Sequence, residues 1–482
     1  MMDFVLEAWV SLLIEQAKLE WILGFGRTRH AGERLKLLLA CYAGARNTGS
    51  DVRVQEMIRQ IQHVLGAERV ELSVTTQNFD LTRGYFPGAT QVKLPDVFPL
   101  FLYRQVRRND GAIACEGSMF KSTWADALTT MMVGSLGLAV AQNKLSIGYG
   151  GDADRMNPML AWMCRRYCRQ SFVIARSSGS QAALRDQGIP AELGTDTAWT
   201  FTPNQPEFGR QVLRQAGWDG VTPVLVVCAS DPFCWPVKPS LVKYGARLLT
   251  GAYKKSQYRT IYFHKAGADV DAALNRMLTG MSKAVQAFRQ RHKVFAIVVG
   301  TEQLDKKACL EVARQLGGVP VFTSDMYDMH QLVSILRTGH MLVSSRYHAI
   351  VTTMPSLVPS AGIAMDERIR NLMQERGHED LMASVDDEEL EARLLAAMER
   401  LRTDTDAIRE AIGRTVVQNL KRMARMGVYL EHVVHERYPE FPAEAGSGGG
   451  IRSWEDYLPP LDPALRRLVE LYDSRTQAMA AN

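Results

Sequence analysis

The residues best suited to chemistry in this chain form one short run, Ser344-Ser345-Arg346-Tyr347-His348. Arginine can bind a carboxylate or phosphate through two parallel hydrogen bonds, and histidine can move a proton near neutral pH. An apolar run precedes the segment and helical spacing follows it, which predicts a helix start just beyond a strand. That position favours a bound anion. The open alternative is a Ser345 helix cap, with Arg346 in a surface ion pair and His348 in packing.

The elements that must position this run are predicted by the alternation of apolar runs and helical patterns from residue 36 onward, which is typical of a layered α/β fold. Five strands are predicted first, at 36–42, 70–74, 112–115, 145–150 and 172–175. Six more are predicted at 224–229, 260–264, 294–300, 319–322, 340–344 and 359–364. We therefore predict two lobes, 36–205 and 206–433, facing each other across a cleft, with ligands at the carboxyl ends of the strands.

Both ends of the chain are predicted to add helices to these lobes. Apolar positions at helical spacing in residues 1–35 predict an N-terminal amphipathic helix. Charged residues interrupt that segment, and it lacks a basic leader and a cleavage site, so neither a membrane span nor a secretory signal is expected. Residues 434–482 are predicted as a linker, flexible by composition at 443–450, followed by a C-terminal helix.

Composition narrows the class of protein. A net charge of +5 spread over 482 residues does not indicate nucleic-acid binding. Seven cysteines in an odd, scattered set without a CxxC pair favour reduced thiols and a cytoplasmic location. The sequence contains no HExxH, paired-carboxylate, Walker or GxGxxG motif, so we predict no metal site.

Four stretches resemble the polysaccharide pyruvyl transferase family, whose members join pyruvate from phosphoenolpyruvate to a sugar as a ketal. They are GARNTGSD (44–51), GYGGD (148–152), the segment 173–201 and the segment 344–373, which contains SSRYHAI. The last stretch is the most specific, and the resemblance covers about half of the chain. This chain has Ser177, Tyr347 and Arg368 where the family usually has Asp, Leu and Lys.

The resemblance implies two Rossmann-like lobes of the glycosyltransferase-B type, with phosphoenolpyruvate as co-substrate and no further cofactor. It implies that Arg176 and Arg346 bind phosphoenolpyruvate, the first lobe serving the acceptor and the second the donor. We predict His348 as the general acid of the reaction. The expected substrate-binding residues are Tyr347, Ser345, Asn47, Gly49, Asp51, Glu116, Asp196 and Arg368.

Two of these assignments have simpler alternatives. The 47–51 turn binds the acceptor, with Asp51 as a hydroxyl partner or base, or it only starts a helix that Ser50 caps. Arg176 binds the donor or forms a surface ion pair with Asp186 or Glu192.

The predicted function is a transferase that moves pyruvate from phosphoenolpyruvate to a pair of hydroxyls on a lipid- or nucleotide-linked glycan precursor in the cytoplasm. Packing of the N-terminal segment on the body of the protein or on a second copy, as in a homodimer, is the default expectation. A peripheral contact with the inner face of the membrane is left open but less expected, because the charges of the segment are mostly acidic. One alternative is a two-lobed glycosyltransferase that uses a nucleotide-sugar. The other is a non-catalytic relative that acts as a binding protein.

Overall fold

The computed structural model describes residues 2–253, 261–442 and 453–480, with side chains to residue 473. The first lobe is built on a parallel sheet of seven strands in the order β3-β2-β1-β4-β5-β6-β7. Its strands are β1 (Leu35–Ala43), β2 (Val70–Thr76), β3 (Ala89–Lys93), β4 (Gly111–Ala114), β5 (Leu145–Gly151), β6 (Phe172–Ala175) and β7 (Ala191–Leu193). Its helices are α1 (Met2–Ile22), α2 (Thr48–Leu65), α3 (Pro99–Arg108), α4 (Asp126–Ala141), α5 (Pro158–Tyr167) and α6 (Ser178–Asp186).

The second lobe follows α7 (Phe208–Gln215) and is built on a parallel sheet of six strands in the order β12-β11-β8-β13-β14-β15. The strands after α7 are β8 (Val224–Cys228), β9 (Lys238–Pro239), β10 (Tyr262–Phe263), β11 (Phe295–Gly300), β12 (Val321–Thr323), β13 (Met341–Ser344), β14 (Ser360–Ala364) and β15 (Met382–Ser384). The helices are α8 (Leu241–Thr250), α9 (Ala268–Arg291), α10 (Lys306–Gln315), α11 (Met329–Arg337), α12 (Tyr347–Thr353), α13 (Glu367–Glu375), α14 (Leu390–Thr403), α15 (Thr405–Arg437) and α16 (Pro463–Ala480).

The predicted fold class, two Rossmann-like lobes with added terminal helices, is confirmed. The central strands β4, β5 and β8 are buried along their whole length, because helices cover both faces of each sheet. That burial explains why these strands appear in the sequence as nearly continuous apolar or small-residue runs. The core of each lobe therefore lies on both faces of its sheet, between the strands and the covering helices. Polar residues lie at the ends of the strands.

Two predicted elements differ from the structure. The strand expected at 260–264 is only β10, which pairs antiparallel with β9 outside both parallel sheets, and Thr260 lies outside the described residues. The expected linker at 443–450 also lies outside them. The sheet-edge strands β3, β7 and β15 were not predicted, because they are only three to five residues long and partly exposed.

The long helix α15 belongs by sequence to the predicted second lobe, yet it packs against the first. Gln60 on α2 donates to the Met423 carbonyl at 2.7 Å, and the Phe172 and Tyr429 rings lie 5.7 Å apart. The helix therefore ties the two lobes together behind the cleft.

The N-terminal helix α1 packs on α4 through one face, with Val10, Leu13, Ile14 and Ala17 buried. Its opposite face is also apolar, since Leu12 and Leu19 are more than half exposed. The helix therefore has apolar side chains on two opposite faces, with charged residues among them, and not on the single face that an amphipathic helix has. Among the described helices, none combines the length and the hydropathy that crossing a membrane requires.

Candidate functional site

The candidate site is a cavity of about 710 Å³ between the lobes. Each sheet changes its winding direction once, between β1 and β4 in the first lobe and between β8 and β13 in the second. Ligands bind in open α/β sheets where the loops diverge at such a point. The cavity is lined by the loops after β1, β4 and β13, and its wall includes Asn47, Glu116, Arg176, Arg346, His348 and Arg368.

The turn after β1 begins α2 and touches the second lobe. Asn47, and not Ser50, is the N-cap: its side chain accepts from the Ser50 N–H at 3.3 Å. The next N–H, from Thr48, donates to the Thr301 carbonyl in the second lobe at 2.9 Å. Ser50 instead donates its hydroxyl to Glu116 at 3.2 Å. The turn therefore fixes Glu116 at the cavity wall and joins the lobes.

Asp51 lies in the same turn but does not line the cavity. The side chain is buried, and neither carboxyl oxygen makes a hydrogen bond of ordinary geometry. Burial raises the pKa of Asp51 to about 8, against the lowering effect of Arg46. The predicted role as an acceptor partner or base would require contact with the cavity, and this placement does not provide it.

Arg176, at the end of β6, is held by two buried carboxylates. Its Nε and Nη2 donate to Asp152, the first at 3.1 Å, and its Nη1 donates to Asp196 at 2.9 Å. The surface ion pair with Asp186 or Glu192 is therefore wrong. Since all three guanidinium nitrogens are engaged, binding of phosphoenolpyruvate by Arg176 would require these bonds to exchange.

Asp196 is the hub of a buried ion network. The same Oδ2 atom lies 2.9 Å from Arg176 Nη1, 3.3 Å from Arg53 Nε and 3.1 Å from His348 Nε2. Burial alone would raise the pKa of Asp196, but the three neighbouring bases together lower it well below its ordinary value. Asp196 is thus a fixed anion behind His348 and does not touch the cavity itself.

His348 lines the cavity with its side chain 16% exposed. Burial lowers the pKa of His348, and the nearby arginines add to that effect while Asp196 opposes it. A neutral ring facing a carboxylate donates from Nε2, which leaves Nδ1 as the basic nitrogen. Gly49 packs against that side, because a Cβ there would lie 2.2 Å from Nδ1. Gly49 was predicted to bind substrate, but it is not part of the cavity wall and instead packs against the His348 ring.

The segment before His348 divides into structural and cavity-facing residues. Ser345 shares a hydrogen bond with Ser230 at 2.7 Å and caps no helix, and Tyr347 stacks on Arg176 at 4.9 Å. Neither residue lines the cavity, so the structure places both of these predicted substrate contacts behind it. Arg346 does line it, at the N-cap position of α12.

Arg346 is bound on one side only. Its Nε donates to both oxygens of Asp305 at 3.0 and 3.1 Å, and its Nη2 pairs with Glu302 at 2.8 Å. Nη1 takes part in none of these bonds. Burial raises the pKa of Asp305 to about 6, against the opposite effect of Arg346.

Arg368 lies across the cavity, with its Nε 2.8 Å from Asp366 and its guanidinium 4.8 Å above the Trp124 ring. Lys121 pairs with Glu367 at 2.8 Å and lies 3.8 Å from Asp152, which connects this group to the Arg176 network. The remaining wall contains both polar side chains, such as Gln77, Lys93 and Asp96, and a set of apolar and aromatic ones. It includes Phe98, Trp124, Leu128, Met131, Trp235, Val237 and Tyr262.

Four residues of this arrangement were missed by the sequence prediction, namely Arg53, Lys121, Glu302 and Asp305. Arg53 had one usable signal, a charged residue among the apolar positions of a predicted helix. The others lie in ordinary polar loops, where nothing distinguishes them by spacing. Among the described residues, no group of three or more His, Cys, Asp or Glu side chains is arranged to hold a metal ion.

No protein-family model and no curated protein matches the sequence. Solved structures match it in three dimensions. A UDP-glucosyltransferase from Polygonum tinctorium that can glucosylate indoxyl gives a TM-score of 0.50 at 10% identity, over 85% of this chain and 99% of that one. A UDP-GlcNAc 2-epimerase from Neisseria meningitidis, bound to UDP-GlcNAc, gives 0.46 at 10% identity, over 78% and 94%. At such low identity the likeness concerns the fold, and the fold of this chain is of the glycosyltransferase-B type.

Proposed function

We propose that this protein transfers pyruvate from phosphoenolpyruvate to two hydroxyls of a sugar as a ketal and releases phosphate. One observation carries the proposal: Arg176 from the first lobe and Arg346 and His348 from the second line one cavity. These three residues belong to the stretches that resemble the pyruvyl transferases. If they lay on separate surfaces, they could not act on one donor molecule, and the resemblance would not support a reaction.

The donor carries a carboxylate and a phosphate, and the second lobe supplies the cations for them. Arg346 offers Nη1, and Arg368 is bound to Asp366 only through Nε. Both side chains are about four-fifths buried, so their hydrogen bonds to an anion would be made in a partly dry site. Arg176 acts as a positioning residue, because it holds Asp196 behind His348.

The proton balance of the reaction fits the state of His348. The first hydroxyl oxygen bonds to C2 of phosphoenolpyruvate while C3 gains a proton. The second hydroxyl then displaces phosphate from C2, and its proton leaves with the phosphate. A neutral His348 takes the first hydroxyl proton and delivers it to C3, and Asp196 stabilises the imidazolium in between.

A second candidate is a glycosyltransferase that uses a nucleotide-sugar. The cavity is much larger than phosphoenolpyruvate requires, and Trp124 and Trp235 offer flat surfaces for a base or a sugar ring. The Polygonum enzyme of similar fold is a UDP-glucosyltransferase. The sugar acceptor of the first proposal would use the same space.

The two candidates separate by donor. The purified full chain is titrated with phosphoenolpyruvate, UDP-glucose and UDP-GlcNAc, and the midpoint of thermal unfolding is recorded. Phosphoenolpyruvate is expected to raise the midpoint of the wild type and of His348→Ala, and far less that of Arg346→Gln. Phosphate release with a cell-envelope glycan extract is then expected from the wild type and not from His348→Ala. Stabilisation by a UDP-sugar without stabilisation by phosphoenolpyruvate would overturn the proposal in favour of the second candidate.

A further inference from the structure

A strip of apolar side chains runs along the outward face of α1. Leu12, Leu19 and Ile22 are 57–68% exposed. Val5, Leu12 and Leu19 follow one another at intervals of seven, which places them on one line of the helix. The other exposed members of the strip and its C-terminal end are Phe4, Leu23 and Phe25. Contiguous exposure of this kind marks an interaction surface, whereas scattered exposed residues do not.

The charges beside this strip are mostly positive. Helices α3 and α5 flank α1, and α4 lies beneath it. The exposed cations on or just beyond these helices are Lys18, Arg104, Arg107, Arg108, Arg165, Arg166 and Arg169. The two half-buried glutamates on α1 are already paired, Glu15 with Arg166 at 2.7 Å and Glu20 with Arg107 at 3.7 Å. With these two pairs set aside, Lys18, Arg104, Arg108, Arg165 and Arg169 still give the strip a cationic border.

Helix α8 in the second lobe presents a similar face near the start of α1. None of the residues of α8 is buried. Four of its aliphatic side chains are 63–88% exposed, namely Leu241, Val242, Leu248 and Leu249. Its N-cap Ser240 donates to the Ile261 carbonyl, and the adjacent Tyr262 hydroxyl donates to Asp3 on α1 at 2.8 Å. Tyr262 also lines the cavity. The start of α1 and the start of α8 are thus linked through Tyr262, which lies in the cavity wall.

We infer that α1, α8 and the arginines around α1 form a membrane-docking surface that binds an anionic lipid bilayer. Exposed aliphatic and aromatic side chains enter the boundary between headgroups and acyl chains, and arginines pair with anionic headgroups. A second copy of the chain fits less well, because a two-fold contact would bring the arginine-rich borders against each other. The surface contains none of the residues that carry the proposed reaction, so each proposal can fail without the other.

Vesicle co-sedimentation with the full chain tests the inference. Vesicles contain phosphatidylcholine alone or with about 30% phosphatidylglycerol, a composition that gives a negative surface. The wild type is expected to bind the anionic vesicles at least about tenfold more tightly. Leu12→Gln with Leu19→Gln is expected to weaken that binding about tenfold or more, since it removes apolar side chains from the contact. Val221→Gln with Leu310→Gln, which changes two other exposed apolar residues, is expected to bind like the wild type.

A charge variant separates the two contributions. Arg104→Gln with Arg165→Gln and Arg169→Gln is expected to weaken binding to anionic vesicles about fivefold per arginine and to leave the weak binding to phosphatidylcholine unchanged. The inference is overturned if the wild type binds neither vesicle, or if it binds both equally. It is also overturned if Leu12→Gln with Leu19→Gln converts a dimer into a monomer in sedimentation velocity without changing vesicle binding, because a second copy would then cover the face.

Discussion

Arg176 in the first lobe and Arg346 in the second line the same cavity, but their guanidinium groups differ in freedom. Arg176 is 4% exposed and uses all three nitrogens on Asp152 and Asp196. Arg346 is 18% exposed and keeps Nη1 out of its bonds to Asp305 and Glu302. A satisfied buried ion pair is costly to break, whereas a partly paired arginine can still accept a ligand. The first lobe therefore fixes the histidine in place, and the second lobe keeps an arginine that under the proposed function would bind the donor anion.

The largest effect is expected from Arg176→Gln. The change leaves Asp152 and Asp196 buried with too little positive charge around them, which should lower the free energy of unfolding by about 3–5 kcal/mol. Arg368→Gln is the matched control, and it should cost less than Arg176→Gln because its partner Asp366 keeps Lys121 at 3.5 Å. Urea unfolding followed by circular dichroism measures both. Equal losses of unfolding free energy in the two variants would show that Arg176 is no more firmly paired than the arginine of the second lobe.

The next effect is a dependence of stability on pH that arises from Asp51. Because its pKa is raised to about 8, the folded protein keeps a proton that the unfolded chain releases near its ordinary pKa of 3.8. Stability is therefore lost as pH rises from about 4 to 8. Between pH 5 and 8 the wild type should lose about 3 kcal/mol more than Asp51→Asn in urea unfolding.

The pH dependence of stability that arises from Asp305 in the second lobe is expected to be smaller than that from Asp51 in the first. The pKa of Asp305 is raised only to about 6, because Arg346 stabilises its charge. Asp305→Asn should therefore alter the pH dependence only below about pH 6. Parallel stability curves for Asp51→Asn and the wild type would show that the Asp51 carboxyl is not buried as described.

A third effect concerns the contact between the lobes at Gly49. A Cβ at this position would meet the His348 ring at 2.2 Å, so Gly49→Ala should displace the imidazole and lower kcat about 100-fold. Gly179→Ala is the matched control near a helix start, since its nearest neighbouring atom would lie at 3.9 Å. Phosphate release from phosphoenolpyruvate measures both variants. Full activity of Gly49→Ala would mean that the position of His348 does not matter for the reaction.

The smallest effect is expected for the two arginines that would bind the donor under the proposed function. Arg368→Gln should raise KM for phosphoenolpyruvate about tenfold with little change in kcat, since it removes binding common to substrate and transition state. Arg346→Gln should act in the same direction. A loss of kcat at unchanged KM would move Arg368 from binding the donor to stabilising the transition state.

The place of the site could be predicted from sequence, but its internal bonding could not. The apolar runs that became β1, β4 and β13 located the loops that line the cavity, and the run at 344–348 correctly placed Arg346 and His348 there. Ser345 and Tyr347 lie in the same run and point elsewhere. Adjacent residues in a turn face different directions, so a motif marks a region without assigning a role to each of its members.

By itself the sequence determined the two α/β lobes, since burial of parallel strands requires apolar runs and helices require their own spacing. Only the tertiary structure decided which charges meet. Arg346 forms an ion pair with Asp305, which lies 41 positions away in the sequence. Asp196 contacts Arg53, Arg176 and His348, which come from three separate segments. Local pattern carries no information about such pairings, because they depend on how two sheets turn their strand ends toward one cavity.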